Sequence, residues 1–216
     1  KKTLSGSILA STSTIDGLLE ENSYNRIFNF TMTKIIAILM GWLCAYSAYS
    51  ATCPDGSNIA LERDKNYSLY REFYKQNLFT EAMPYWKWVY ANAPGIRKQT
   101  YIDGIDMYMA LYKSASNDDV KSKYLDTIMQ IYDKRIECYG EAAFVTGRKA
   151  YDIATLKKTL GGYNDARVLY EKAFAINKDE ITPYMFNQYM SILLNLRGAV
   201  DGIDDTYSTN KYNEIV

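Results

Sequence analysis

The stretch Thr80–Pro94, TEAMPYWKWVYANAP, decides the fold. Its small residue at Ala82, aromatic residue one turn on at Trp86, and proline at Pro94 suit the second helix of a close-packed helical hairpin. A small side chain lets two helices approach. The aromatic one turn later fills the space towards the next hairpin, and the proline ends the helix. A second copy stands at Ala166, Tyr170 and Ala173. When the first unit is counted from Arg63 with a 34-residue period, the next begins at Arg97 and Gly104 takes the repeat's glycine place.

The flanking sequence extends this pattern in both directions. Tyr67, Tyr70, Phe73 and Tyr74 recur at helical spacing and predict a first helix over 63–77. Thr80 is read as the N-cap of the second helix, with Pro84 early enough to be tolerated. A third helix is expected over 97–114. A fourth, over 118–139, starts at Asn117-Asp118-Asp119, carries Leu125, Ile128, Tyr132 and Ile136 as a stripe, and ends at Gly140. The next helix, 143–160, holds Ala150, Ile153 and Ala154. Gly161-Gly162 reads as the turn after it, with Asn164 or Asp165 capping the helix of Ala166 and Tyr170. Thr182-Pro183 opens a helix over 182–197. Asp204-Asp205 caps a last one, Thr206–Val216. The expected units are 63–96, 97–146, 147–180 and 181–216, after a turn-rich lead-in at 51–62.

Composition narrows the chemistry. Lys plus Arg (25) equal Asp plus Glu (25), so no net field attracts nucleic acid or an anionic membrane. Histidine is absent, which removes the commonest general base, the commonest transition-metal ligand and every imidazole-dependent triad. There is no phosphate-binding glycine loop, no C-x-x-C and no metal-ligand spacing, so no cofactor is expected. Asp103-Gly104-Ile105-Asp106 and Asp201–Asp205 resemble calcium loops only faintly, lacking alternating ligands and a closing glutamate. Glu137, Glu141 and Asp152 are the candidates for a histidine-free carboxylate hydrolase, a reading that needs two carboxyls facing one another across a cleft.

The first fifty residues read differently. Met32-Thr33-Lys34 leads into the apolar run Ile35–Ala45 and then small residues, the layout of a secretory signal peptide over 32–50 cleaved near Ala51. The run is shorter than the ~20 residues of a membrane span. Residues 1–31 are polar, lack a period and lie before the apparent start methionine, so they are expected to be disordered or not native. Export to an oxidising compartment lets Cys53 and Cys138 pair, though spacing alone leaves this open against free thiols.

On these residues the chain resembles the tetratricopeptide repeat family over about 63–216, most specifically at 63–96 and 147–180. The segments YWKWVYANAP and YEKAFAINKD, with the signal peptide, are similar to secreted repeat proteins of Gram-negative envelopes. The resemblance implies an all-α, right-handed α-α superhelix. It also implies a non-enzymatic scaffold of the periplasm or outer envelope that holds a protein or peptide in its concave groove. The first helix of each unit would line that groove, which selects Tyr67, Arg71, Lys75, Tyr101, Tyr108, Tyr112, Arg148, Tyr151 and Tyr189. The chain's 21 tyrosines suit binding hot spots as well as core packing. Exposed Tyr and Trp stacking on sugar rings give the alternative of a carbohydrate-binding envelope protein.

Overall fold

Short connections and long amphipathic runs leave this chain few ways to bury its apolar stripes other than helix against helix. The computed structural model describes residues 53–216; the expected signal peptide, its cleavage point and the segment before it lie outside them. Among the described residues there are eight α-helices and no strand: α1 Ala60–Lys75, α2 Phe79–Asn92, α3 Gln99–Ser114, α4 Asp118–Tyr139, α5 Ala142–Lys157, α6 Leu160–Asn177, α7 Pro183–Leu196 and α8 Asp205–Ile215. Consecutive helices pack as hairpins, most extensively α1 with α2, α3 with α4, and α5 with α6. The pairs meet in sequence, and α5 also touches α7.

Side chains cap the N-termini of three of the eight helices, α4, α6 and α8. Asn117 accepts from the Val120 N–H at 3.0 Å, and Asp204 accepts from the Tyr207 N–H at 2.7 Å. Gly140 closes α4 with φ 70°, a left-handed conformation that glycine takes without a Cβ penalty. Pro183 sits in the first turn of α7 behind Thr182, as expected. Two expected ends are corrected. Thr80 lies inside α2, whose N-cap is Leu78, because Asn77 turns the chain in the left-handed region (φ 58°) one step earlier. The Gly161-Gly162 pair is not a turn but the start of α6, whose cap is Thr159, accepting from the Gly162 N–H at 3.1 Å. Asn164 and Asp165 are therefore helical. The third hairpin begins at Ala142, one residue from the expected start of its first helix.

The repeat residues occupy close contacts. Ala82, Ala166 and Ala173 are fully buried, Trp86 and Tyr170 are core side chains, and Pro94 is buried where α2 ends. Gly104 faces the Trp86 ring so closely that an added Cβ would stand 2.2 Å from its Cζ2. Trp86 is pinned by its Nε1–H, donating to Thr100 O at 2.6 Å, and stacks on Tyr90 with ring centroids 4.9 Å apart. Two apolar clusters form the core, one over α1–α4 with Val145 of α5, and one over α5–α7 with Leu125 of α4 and Ile203 beyond α7. Met129, Phe144 and Leu156 pack against both.

The lead-in is tied to the second hairpin. Cys53 and Cys138 form a disulfide across 85 residues with Cα atoms 5.2 Å apart. Beside it the Gly95 N–H donates to Pro54 O at 2.8 Å. A Cβ at Gly95 would meet Cys53 O at 2.1 Å, so this strap needs a glycine beneath it.

Candidate functional site

The odd-numbered helices are joined to one another by polar rungs. Between α1 and α3, Arg71 pairs with Asp103, whose side chain is fully buried, and Gln99 Nε2 supports the same carboxylate at 2.7 Å. One turn on, the Tyr74 hydroxyl donates to Asp106 at 2.8 Å. From α3 to α5, the Tyr112 hydroxyl donates to Leu156 O at 3.1 Å. From α5 to α7, Arg148 Nη1 donates to the Tyr184 hydroxyl at 3.0 Å, and Gln188 Nε2 reaches Thr155 Oγ1 at 3.3 Å. An Arg-x-x-Tyr pair recurs on α1 and α5: the Arg71 guanidinium lies 5.4 Å from the Tyr74 ring centroid and that of Arg148 5.3 Å from Tyr151. The calcium-like string Asp103–Asp106 is thus a helical segment committed to these rungs. No cluster of acidic or cysteine residues suited to a metal occurs among the described residues.

The nine residues selected from sequence divide three ways. Tyr101, Tyr108 and Tyr189 are corrected: they are buried and line no surface. The physical reason is that each phenol finds support inside. Tyr101 donates to Pro94 O at 2.9 Å and Tyr189 to Glu171 at 3.2 Å, while Tyr108 sets its ring edge against Trp86 at 5.8 Å. Tyr67, Arg71, Tyr112, Arg148 and Tyr151 are half-buried, and Lys75 is exposed. Of the five, Arg148 and Tyr151 lie at the α5–α7 junction, Arg71 and Tyr112 are taken up in rungs, and Tyr67 packs edge-on against Tyr70.

Arg148 borders a cleft of about 240 Å³. Ile102, Ile105 and Asp106 come from α3, Tyr132 and Arg135 from α4, Phe144 from α5 and Tyr184 from α7. Arg148 lies beside two rings, Tyr151 and Tyr184 (5.9 Å), which meet edge to face at 5.3 Å. Behind it Asp152 is buried and accepts a hydrogen bond from the Tyr132 hydroxyl, with Arg148 Nη2 at 3.8 Å. Burial pushes the Asp152 carboxyl up, against the pull of Tyr132 and Arg148. Burial beside the same carboxylate pushes Tyr132 well above its ordinary value. Burial works against the Arg148 charge, but the Tyr184 hydroxyl and Asp152 outweigh it and raise its pKa. Arg135 is 6% exposed, lies 5.8 Å from the Phe144 ring centroid and gives Nη2 to Glu141 at 2.9 Å. Its Nε–H is buried without a hydrogen-bond partner. Arg135, Phe144 and Tyr184 were not among the site residues expected from sequence, and Asp106 entered only in the faint calcium-like string. No spacing in the sequence marks the first three, since they come from three different helices.

Two of the hydrolase carboxyls, Glu141 and Asp152, lie far apart along α5. Glu141 and Asp152 are eleven residues apart at the start of and within α5, so a rise of about 1.5 Å per residue separates them by roughly 16 Å, beyond the ~5–10 Å that paired carboxyls need. Glu141 is held by Lys98 (2.7 Å) and Arg135, and Glu137 by Lys134 (2.7 Å). For sugar stacking, Trp86 is buried and Trp88 half-buried against the core. No helix of the described residues is long and apolar enough to cross a membrane. The chain matches no protein-family model, no curated protein and no solved structure.

Proposed function

We propose that this chain is a non-enzymatic interaction scaffold of the tetratricopeptide type. Its hairpins stack as a right-handed superhelix, and the face of α1, α3, α5 and α7 is a concave groove for a protein or peptide. The observation that carries this reading is the cleft at Arg148. There an arginine set against two touching tyrosines borders a pocket of mixed polar and apolar lining, and buried polar groups behind it fix its position. Pre-ordering of this kind lowers the entropy lost on binding, and Tyr and Arg dominate binding hot spots. The polar rungs support the reading further, since they link first helices to first helices, as a stack of hairpins requires.

Export to the periplasm or outer envelope belongs to the same proposal, supported by the disulfide geometry of Cys53 and Cys138. Mass spectrometry of the protein recovered from envelope fractions tests it. An N-terminus near Ala51 is expected, and an intact chain in the cytoplasm refutes export.

The groove is tested by selecting random linear peptides, displayed on phage, against the full chain and mapping bound peptides by hydrogen exchange. Protection over α3, α5 and α7 is expected. No selectable peptide, or protection confined to the even-numbered helices, refutes the groove.

A further inference from the structure

The geometry points to one preferred ligand group: the cleft between Arg135 and Arg148 receives an acidic side chain of the bound peptide, with a neighbouring apolar residue set against Phe144. This rests on the groove reading above and adds the chemistry that the groove selects.

The first argument is an imbalance of hydrogen-bond capacity. The carboxylates around the cleft already have donors: Glu141 takes Lys98 and Arg135, Asp106 takes the Tyr74 hydroxyl, and Asp152 takes Tyr132. The arginines keep donors in reserve. Arg148 gives one hydrogen bond, from Nη1 to Tyr184, out of the five N–H groups a guanidinium carries. Arg135 likewise gives one, from Nη2 to Glu141, and lines the cleft. An incoming carboxylate meets such spare guanidinium N–H groups with charge-assisted bonds, roughly twice as strong as neutral ones.

The second argument is size and wall chemistry. About 240 Å³ lies below the ~300–1,000 Å³ of sites that enclose whole small molecules, but it accommodates one side chain. Ile102, Ile105 and Phe144 give that side chain's methylenes an apolar wall, while the two guanidinium groups meet its end. A carboxylate on a short aliphatic stem matches both features, and a side chain offers one without an ordered terminus.

The test uses the full chain and peptides from the selection above, resynthesised with both ends blocked so that any carboxylate comes from a side chain. Asp or Glu beside a bulky apolar residue is expected in the selected sequences. Exchanging that Glu for Gln in the peptide is expected to weaken binding at least about tenfold, in line with the loss of a charge-assisted hydrogen bond. In the protein, Arg148→Gln is expected to remove the preference for Glu over Gln. Because that variant also loosens Asp152, the Arg135 Nε–H resonance of the unaltered protein is followed by NMR as an independent readout. It is expected to shift on adding the Glu peptide and to stay in place with the Gln peptide. If peptides bind without acidic residues, or if Gln serves as well as Glu, the groove stands and the acidic subsite is overturned. If no peptide is selected, N-acetylglutamate is titrated instead. A shift of Arg135 Nε–H then assigns the cleft to free carboxylates and overturns the peptide source, and no shift overturns the subsite altogether.

Discussion

Gly104→Ala puts the close approach of the first two hairpins to the test. The new Cβ would stand 2.2 Å from Trp86 Cζ2, 2.6 Å from Cε2 and 3.0 Å from Nε1, all in a ring rather than at a flexible chain end. The indole is confined by Tyr90 stacked at 4.9 Å and Tyr108 edge-on at 5.8 Å, so it has no free direction. Overpacking of this kind costs about 1–3 kcal/mol, and these contacts place it at the upper end. Displacing the ring also strains the Nε1–H bond to Thr100 O, another ~1 kcal/mol. Alanine returns about 1 kcal/mol of helix propensity over glycine. The net expectation is a loss of roughly 2–3 kcal/mol. At about 2–4 °C per kcal/mol for a chain of this size, the melting temperature falls by roughly 5–10 °C. Circular dichroism melting measures it, with Gly161→Ala as control, since nothing lies within 4 Å of a Cβ there and the same propensity gain should leave stability equal or higher. A Gly104→Ala protein that melts with or above the unaltered one refutes the tight packing of α3 on Trp86.

Replacing Cys53 and Cys138 by serine is expected to cost about 4–5 kcal/mol in denaturant unfolding, from the 85-residue loop the disulfide closes; an unmoved midpoint refutes the strap. Arg71→Ala leaves the buried Asp103 carboxylate with Gln99 alone. The expected loss is about 2–4 kcal/mol, below that for a fully buried pair because Arg71 is partly exposed, and Asp103→Asn in the same chain should recover part of it. Glu141 gains hydrogen bonds from Lys98 and Arg135 that hold its carboxyl below the ordinary 4.5. Its folded pKa is depressed, so its contribution is present above that value and lost as pH falls through the folded pKa. Melting temperatures measured from pH 6 down to pH 3 should fall less steeply for Glu141→Gln than for the unaltered chain; equal slopes refute the assignment.

The helices were legible where a side chain marks their ends. Asn117, Gly140, Pro183 and Asp204 all act where their chemistry suggests. Legibility failed where the backbone turned by another route. Asn77 and Lys158 adopt left-handed φ of 58° and 44°, so α2 starts ahead of its apparent Thr80 cap and α6 absorbs the two glycines that look like a turn. The site was harder to read because tyrosine serves both surface and core. The buried roles of Tyr101 and Tyr189 depend on acceptors at Pro94 and Glu171, which helical periodicity does not locate. Arg135 shows the same limit from the other side. A charge one would place in solvent lies under Phe144, and only the packing of α4 against α5 puts it there.

The disulfide also bears on cooperativity. A stack of hairpins in which each touches only its neighbours behaves as a one-dimensional chain, able to fray from either end one unit at a time. Cys53 precedes α1 and Cys138 stands near the end of α4, so the covalent link spans two complete hairpins. Neither can open fully while the link holds. The first four helices become a single block whose amides exchange together, and the remaining freedom to unzip passes to the far end, where the short α8 is held on α6 by Tyr207 through Glu171 (2.5 Å) and Arg167 (3.2 Å).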